Sequence, residues 1–302
     1  MSTRSSWEAA VEDFLVDRRG NNLSPSTIEN YRWYLNGTRT RRFIAERSIK
    51  SPADFDKRQL QDLQNQLKEA GLSPRTVVTF HGILKTFVRD CISRGYGPNA
   101  EILDLKAPKL PKEEPETFTT EEEKRLLAAL KGRPRDEMLV LFMLRTGLRL
   151  AEVCNVTLED IIDTPQGAYV RVRQGKGGKD RAVPLDTPGE RLSVKLARYT
   201  SRVRPKDTQQ QALFLTHRRD GKDYVPLTPH GIQTLFRRLS AETGIHVNPH
   251  KFRHTFATRA LSAGVDVMAL QKALGHTTLA MVSKYVHYQK DDLLAAWGQR
   301  RD

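Results

Sequence analysis

Apolar positions recur at helical spacing through the first third of the chain. Trp7, Val11, Phe14 and Leu15 fall on one stripe of a helix. A weak internal repeat follows, LSPSTIENYRWYL at 23–35 and LSPRTVVTFHGIL at 72–84. Each copy offers a serine as N-cap and a proline at the first helical position, then Thr, a β-branched residue, an aromatic and Leu at equal offsets. With a further helix around 56–70, ahead of Gly71, the pattern predicts a bundle of four or five helices.

From residue 119 the pattern is mixed. TTEEEKRLLAAL (119–130) opens with Thr120 and Glu123 at capping-box spacing, and DEMLVLFMLRTG (136–147) reads as an apolar helix stopped by Gly147. AYVRVRQGKGGKDRAVPL (168–185) alternates, turns at a Gly/Lys cluster and alternates again, which predicts a β-hairpin. Helices are expected near 188–204, 228–243, 249–263 and 265–275. Between the two patterns, KAPKLPKEEPETF (106–118) places three prolines among charges and reads as a linker. The expected organisation is a helical domain over 1–107, a linker over 108–118 and a mixed domain over 119–302. The expected fold class is mainly α, with a small β-sheet in the C-terminal α+β domain.

Composition narrows the partners. The 302 residues carry a net charge of +14. Up to residue 110 there are 18 basic against 13 acidic residues, and beyond it 32 against 23, so the parts are positive by 5 and 9. Such a chain is a candidate for a polyanion partner. No apolar run is long enough to span a bilayer, and the polar N-terminus has no signal-peptide core, so a membrane role is not expected. Cys91 and Cys154 show neither metal-ligand nor disulfide spacing, and a reducing, cytoplasmic compartment fits. Cys154 is expected to be a buried small hydrophobe.

The candidate chemistry is cationic. HKFRHTFAT (250–258) places His250 and Arg253 on one helical face, with His254 a turn beyond His250. The two histidines have i, i+4 zinc spacing, but the residues between them are Lys251, Phe252 and Arg253. Neighbouring cations oppose a dication, so no metal is expected. Arg253 shares a core-facing stripe with Ala257, Ala260 and Leu261, and a buried guanidinium needs a partner, either an internal carboxylate or a phosphate oxygen. TGLRLAEVCNV (146–156) sets Arg149 after a turn, with Glu152 three residues on to orient it. LGHTTLAMVSKYVHY (274–288) sets His276 after Gly275, with Tyr285 nine residues later. Arg39, Arg41, Arg42 and Arg47 cluster after the second helix, as a solvated face or as phosphate contacts.

Taken in order, TGLR-x-x-E (146–152), GKGGKDRAVPL (175–185), H-x-x-R-H-T-F-A-T (250–258) and LGH followed by Tyr (274–285) resemble the catalytic domain of the tyrosine recombinases, the phage integrase family. The first part is similar, less specifically, to that family's core-binding domain. The resemblance implies that Arg149 and Arg253 clamp a phosphate, and that Lys176, in the hairpin turn, is the general acid. It makes His250 and His276 the two site histidines and Tyr285 the nucleophile, with Tyr288 the nearby rival. Glu152 and His254 would support them, and Arg39, Arg41, Arg42 and Lys179 would contact DNA.

The resemblance further implies strand cutting and rejoining through a 3′-phosphotyrosyl link, without metal, ATP or other cofactor. The partner would be double-stranded DNA, with a homo-tetramer on paired sites and a monomer in its absence. A type IB topoisomerase uses the same residue set, and a non-catalytic DNA-binding protein of this fold is the alternative from another class. No arm-binding domain is expected ahead of the first domain. Leu293, Leu294 and Trp297 form an apolar patch near the C-terminus, expected to dock on a neighbouring protomer or on its own domain.

Overall fold

A computed structural model describes residues 6–21, 23–110, 115–173, 180–187, 189–221 and 223–275. The chain forms two compact units, Met1–Lys112 and Glu113–Asp302.

The first unit is helical: α1 (Trp7–Gly20), α2 (Pro25–Asn36), α3 (Thr38–Glu46), α4 (Lys57–Glu69) and α5 (Pro74–Ser93). The repeated Ser-Pro starts act as read from the sequence. Ser24 accepts from the Thr27 amide and Ser73 from the Thr76 amide, each at 3.2 Å. These caps satisfy amides that a first helical turn otherwise leaves open. Trp7, Val11, Phe14 and Leu15 are all buried. The Trp7 ring meets Phe55 and Phe87 edge-on at 5.4 and 5.1 Å, and its Nε1 donates to the Leu35 carbonyl at 3.1 Å. The arginines after α2 do not trail from it but form the separate helix α3, which buries Phe43 and Ile44 and leaves Arg39, Arg41 and Arg42 exposed.

The second unit holds α6 (Thr120–Ala129), α7 (Pro134–Thr146), α8 (Leu150–Asn155), α9 (Leu192–Arg202), α10 (Pro229–Thr243), α11 (Pro249–Ser262) and α12 (Val267–Leu274). Its strands are β1 (Ile161–Thr164), β2 (Gly167–Val172), β3 (Arg181–Pro184), β4 (Asp186–Thr187), β5 (Glu190–Arg191), β6 (Leu215–Asp220) and β7 (Asp223–Pro226). The expected hairpin is β2–β3, in antiparallel register Val170 to Val183 and Val172 to Arg181. It is extended by β1, which completes a three-stranded antiparallel sheet. Ala168, Val170, Val172 and Val183 face the core of the unit, along with the apolar residues of α7.

Three expectations need correction. The capping box of α6 is Thr119 with Glu122, one residue earlier than Thr120 with Glu123. Glu123 instead turns inward, where Arg145 donates to it at 2.6 Å and Arg259 also bonds it. The helix expected from 188 begins at Leu192, because β4 and β5 occupy the residues before it. Cys154 is half-buried rather than buried, and desolvation still pushes its thiol up to about 11. No helix among the described residues is long and apolar enough to cross a membrane.

Candidate active site

Two glycines end helices at the centre of the second unit. Gly147 closes α7 at φ +59 and Gly275 closes α12 at φ +63. The chain turns at Gly147 and restarts as α8, with Arg149 as its N-cap residue and Glu152 at the third helical position. That spacing carries the Glu152 carboxylate back to its own helix start. It accepts from the Arg149 amide at 2.7 Å and from Arg149 Nη1 at 3.0 Å.

Arg253 reaches the same place from α11. It is 5% exposed, and the carbonyls of Gly147 and Leu274 accept from its Nη1 and Nη2 at 2.9 and 2.5 Å. These carbonyl oxygens are neutral acceptors that fix the direction of the guanidinium. Arg149 also reaches this end of α12, its Nη2 lying 3.4 Å from the Gly275 carbonyl. The two arginines, far apart in sequence, thus meet at the last turn of α12, whose terminal carbonyls carry partial negative charge.

His250 stands exposed in the first turn of α11, and His254 is half-buried one turn on, the two rings 6.3 Å apart. Lys251, between them, serves the fold: it is buried over the Phe118 ring and bonds Glu122 at 3.3 Å. Lys176, Lys179, His276, Tyr285, Tyr288 and the C-terminal Leu293, Leu294 and Trp297 lie outside the described residues. Arg39, Arg41 and Arg42 belong to the first unit, where Arg41 donates to Asn36 at 3.0 Å and Arg42 pairs with Glu46 at 2.7 Å.

Arg181 was missed from sequence. Its guanidinium forks onto Glu152, with Nη1 to Oε1 at 2.9 Å and Nη2 to Oε2 at 2.7 Å, while its Nε donates to the Ala273 carbonyl at 2.7 Å. The signal was the strand period: Arg181 and Val183 share a face of β3, and that face is buried. An inward arginine calls for a carboxylate partner. Burial opposes ionisation of Glu152, but the bonds from Arg181 and Arg149 outweigh it and hold the carboxyl below its usual range. The local arrangement is therefore an acid whose ionised form is favoured and which fixes two guanidiniums, beside a third bonded by carbonyls.

Residues 116–292 match the model of the phage integrase family. The chain belongs to that family, the tyrosine recombinases. It is 34% identical over 221 residues to tyrosine recombinase XerA of Pyrococcus furiosus, covering 73% of this chain and 72% of that protein. It is 32% identical to XerA of Thermococcus kodakarensis over 289 residues, 95% of this chain and 93% of the relative. The Tn1549 transposon integrase, solved in complex with a circular intermediate DNA, has the same fold, with a TM-score of 0.78 at 20% identity over 98% of this chain and all of that one. A lambda integrase tetramer bound to a Holliday junction matches with a TM-score of 0.73 at 17% identity, over 95% of this chain and 80% of the other.

Proposed function

We propose that this chain is a site-specific DNA recombinase that grips the scissile phosphate between Arg149 and Arg253 and attacks it with Tyr285. The observation that carries this reading is the meeting of those two guanidiniums at the end of α12, the residue before His276. In the reaction, the phenol oxygen of Tyr285 forms a bond to phosphorus as the bond to the 5′ oxygen breaks. One phosphodiester replaces another, so the link is stored covalently and the strand can be resealed without ATP. Negative charge grows on the nonbridging oxygens in the transition state, where fixed guanidiniums lower the barrier. Lys176 gives the leaving 5′ oxygen its proton. The phenol gives up its proton as it attacks, to His250 or His276, which otherwise bond the phosphate, with His254 and Glu152 in support.

The first unit binds the core of the DNA site, with the exposed Arg39, Arg41 and Arg42 of α3 touching phosphates, and Lys179 does so from the hairpin. Four copies assemble on two paired sites, a reading supported by the tetrameric state of the lambda relative. The topoisomerase alternative draws no support from the relatives named above.

The test is covalent trapping on a nicked suicide DNA. Tyr285→Phe is expected to bind this DNA as the natural chain does and to form no covalent complex, while Tyr288→Phe still forms one. The opposite pattern would move the nucleophile to Tyr288.

A further inference from the structure

Three successive carbonyls at the end of α12 each accept from a different guanidinium: Ala273 from Arg181, Leu274 from Arg253 and Gly275 from Arg149. The last carbonyls of a helix lack intrahelical partners and attract cations. Two of the three arginines are assigned above to the phosphate. Arg181 has no such assignment. Its side chain is 8% exposed, and each of its three nitrogens already has a protein partner. Space has been left for it, since a Cβ on Gly275 would lie 3.2–3.3 Å from its Cδ, Nε and Cζ.

We propose that Arg181 is a positioning residue for DNA cleavage: it shares the Glu152 carboxylate with Arg149 and ties it to the end of α12, so that Arg149 stays available to the phosphate. The inference rests on the reading of Arg149 as a phosphate ligand. Glu152 takes two bonds from each arginine. With Arg181 gone, its full charge falls to Arg149 alone, and an exclusive ion pair competes with the phosphate for that guanidinium. Arg181 also begins β3, opposite Val172 of β2, so this end of the strand pair is anchored to the same carboxylate.

The experiment uses the full chain with Arg181→Gln, Arg181→Lys and Arg149→Lys, singly and with each Arg181 variant combined with Arg149→Lys. Covalent attachment to nicked suicide DNA is timed at saturating protein, alongside DNA affinity and thermal midpoint. Arg181→Gln is expected to slow attachment roughly 100-fold, the scale of a reacting group displaced by about 1 Å, with DNA affinity unchanged. Arg181→Lys should recover part of the rate, since it keeps the charge on Glu152 but lacks the two-pronged fork. In the Arg149→Lys background the Arg181 changes should cost much less than they do alone, because they act through the same group.

Wild-type rates in Arg181→Gln, losses that multiply across the two sites, or a loss confined to affinity would overturn the proposal. Should the glutamine variant not fold, a folded Arg181→Lys that cleaves at the wild-type rate overturns it equally. Full-rate cleavage by Arg149→Lys alone would instead remove the underlying reading of Arg149, and that single variant leaves Arg181 untouched.

Discussion

Gly147→Ala should damage the second unit more than its backbone angle alone requires. Gly147 adopts φ +59, and a left-handed non-glycine residue costs about 1–2 kcal/mol. The added methyl would also stand 2.5 Å from Phe256 Cδ1 and 2.9 Å from its Cγ. Forcing this partly buried ring aside from the core it packs on costs about 1–3 kcal/mol more. Gly244 supplies the control. It closes α10 in the same way at φ +69, with nothing within 4 Å of its would-be Cβ. The two alanine variants therefore share the backbone cost and differ by the ring contact. For a unit of this size each kcal/mol moves the midpoint by about 2–4 °C, so Gly147→Ala should melt about 2–12 °C below Gly244→Ala.

Scanning calorimetry reads that difference directly. Phe256→Leu should shrink it, because the obstacle is then smaller and more pliable. The Gly147 carbonyl also accepts from Arg253, so Gly147→Ala should slow DNA cleavage while Gly244→Ala leaves it alone. Two variants that melt together would refute the steric account.

Three further outcomes follow from the same site and charge. Lys176→Ala should cleave slowly yet recover on DNA whose 5′-bridging oxygen is sulfur, since a thiolate leaves without a proton; no recovery counts against Lys176 as the acid. DNA affinity should fall with salt at a log–log slope of about −0.9 per phosphate contacted; a flat titration would contradict binding through the basic surface. Glu152, Glu123 and Asp160 are held below their usual carboxyl values in the fold: each loses to burial but gains more from its hydrogen-bonded partners. Their stabilisation is complete above the ordinary glutamate value of 4.5 and is lost as pH falls through the depressed folded values. The thermal midpoint of the second unit should accordingly drop progressively in acid below that pH, and Glu152→Gln should flatten the drop; an unchanged slope in that variant would exclude the Glu152 contribution.

Local chemistry was the most legible part of the sequence. The serine caps of α2 and α5 and the stop of α7 at Gly147 follow from side chains acting within a turn. The β2–β3 hairpin was legible because alternation and its Gly/Lys turn agree. The β6–β7 hairpin was not, since LTHRRD on β6 offers charge where alternation is sought. Gly221, at φ +66 directly after the last residue of β6, was the available signal. The register of the α6 cap slipped because TTEEE supports two equivalent readings. Glu123 settles it through Arg145 and Arg259, which come from α7 and α11 and leave no trace near residue 120. Arg253 was placed on the core face from its neighbours, but its carbonyl partners lie 106 and 21 residues away in sequence. Such contacts depend on how helices end, which residue pattern alone does not specify.

The two cores have no residue in common, and their aromatic content differs. Trp7 lies at the centre of the first, packed against two phenylalanine rings, whereas the second is built on Phe118, Phe142, Phe214, Phe236, Phe252 and Tyr199, with no tryptophan among its described residues. Trp33, the other tryptophan of the first unit, is 49% exposed and already meets solvent in the folded chain. Replacing Trp297 by Phe would remove the one indole outside the first unit. Intrinsic fluorescence at tryptophan wavelengths should then follow Trp7, and with it the loosening of the helical unit, while the second unit changes almost unseen, a spectral channel that separates the two units during DNA binding.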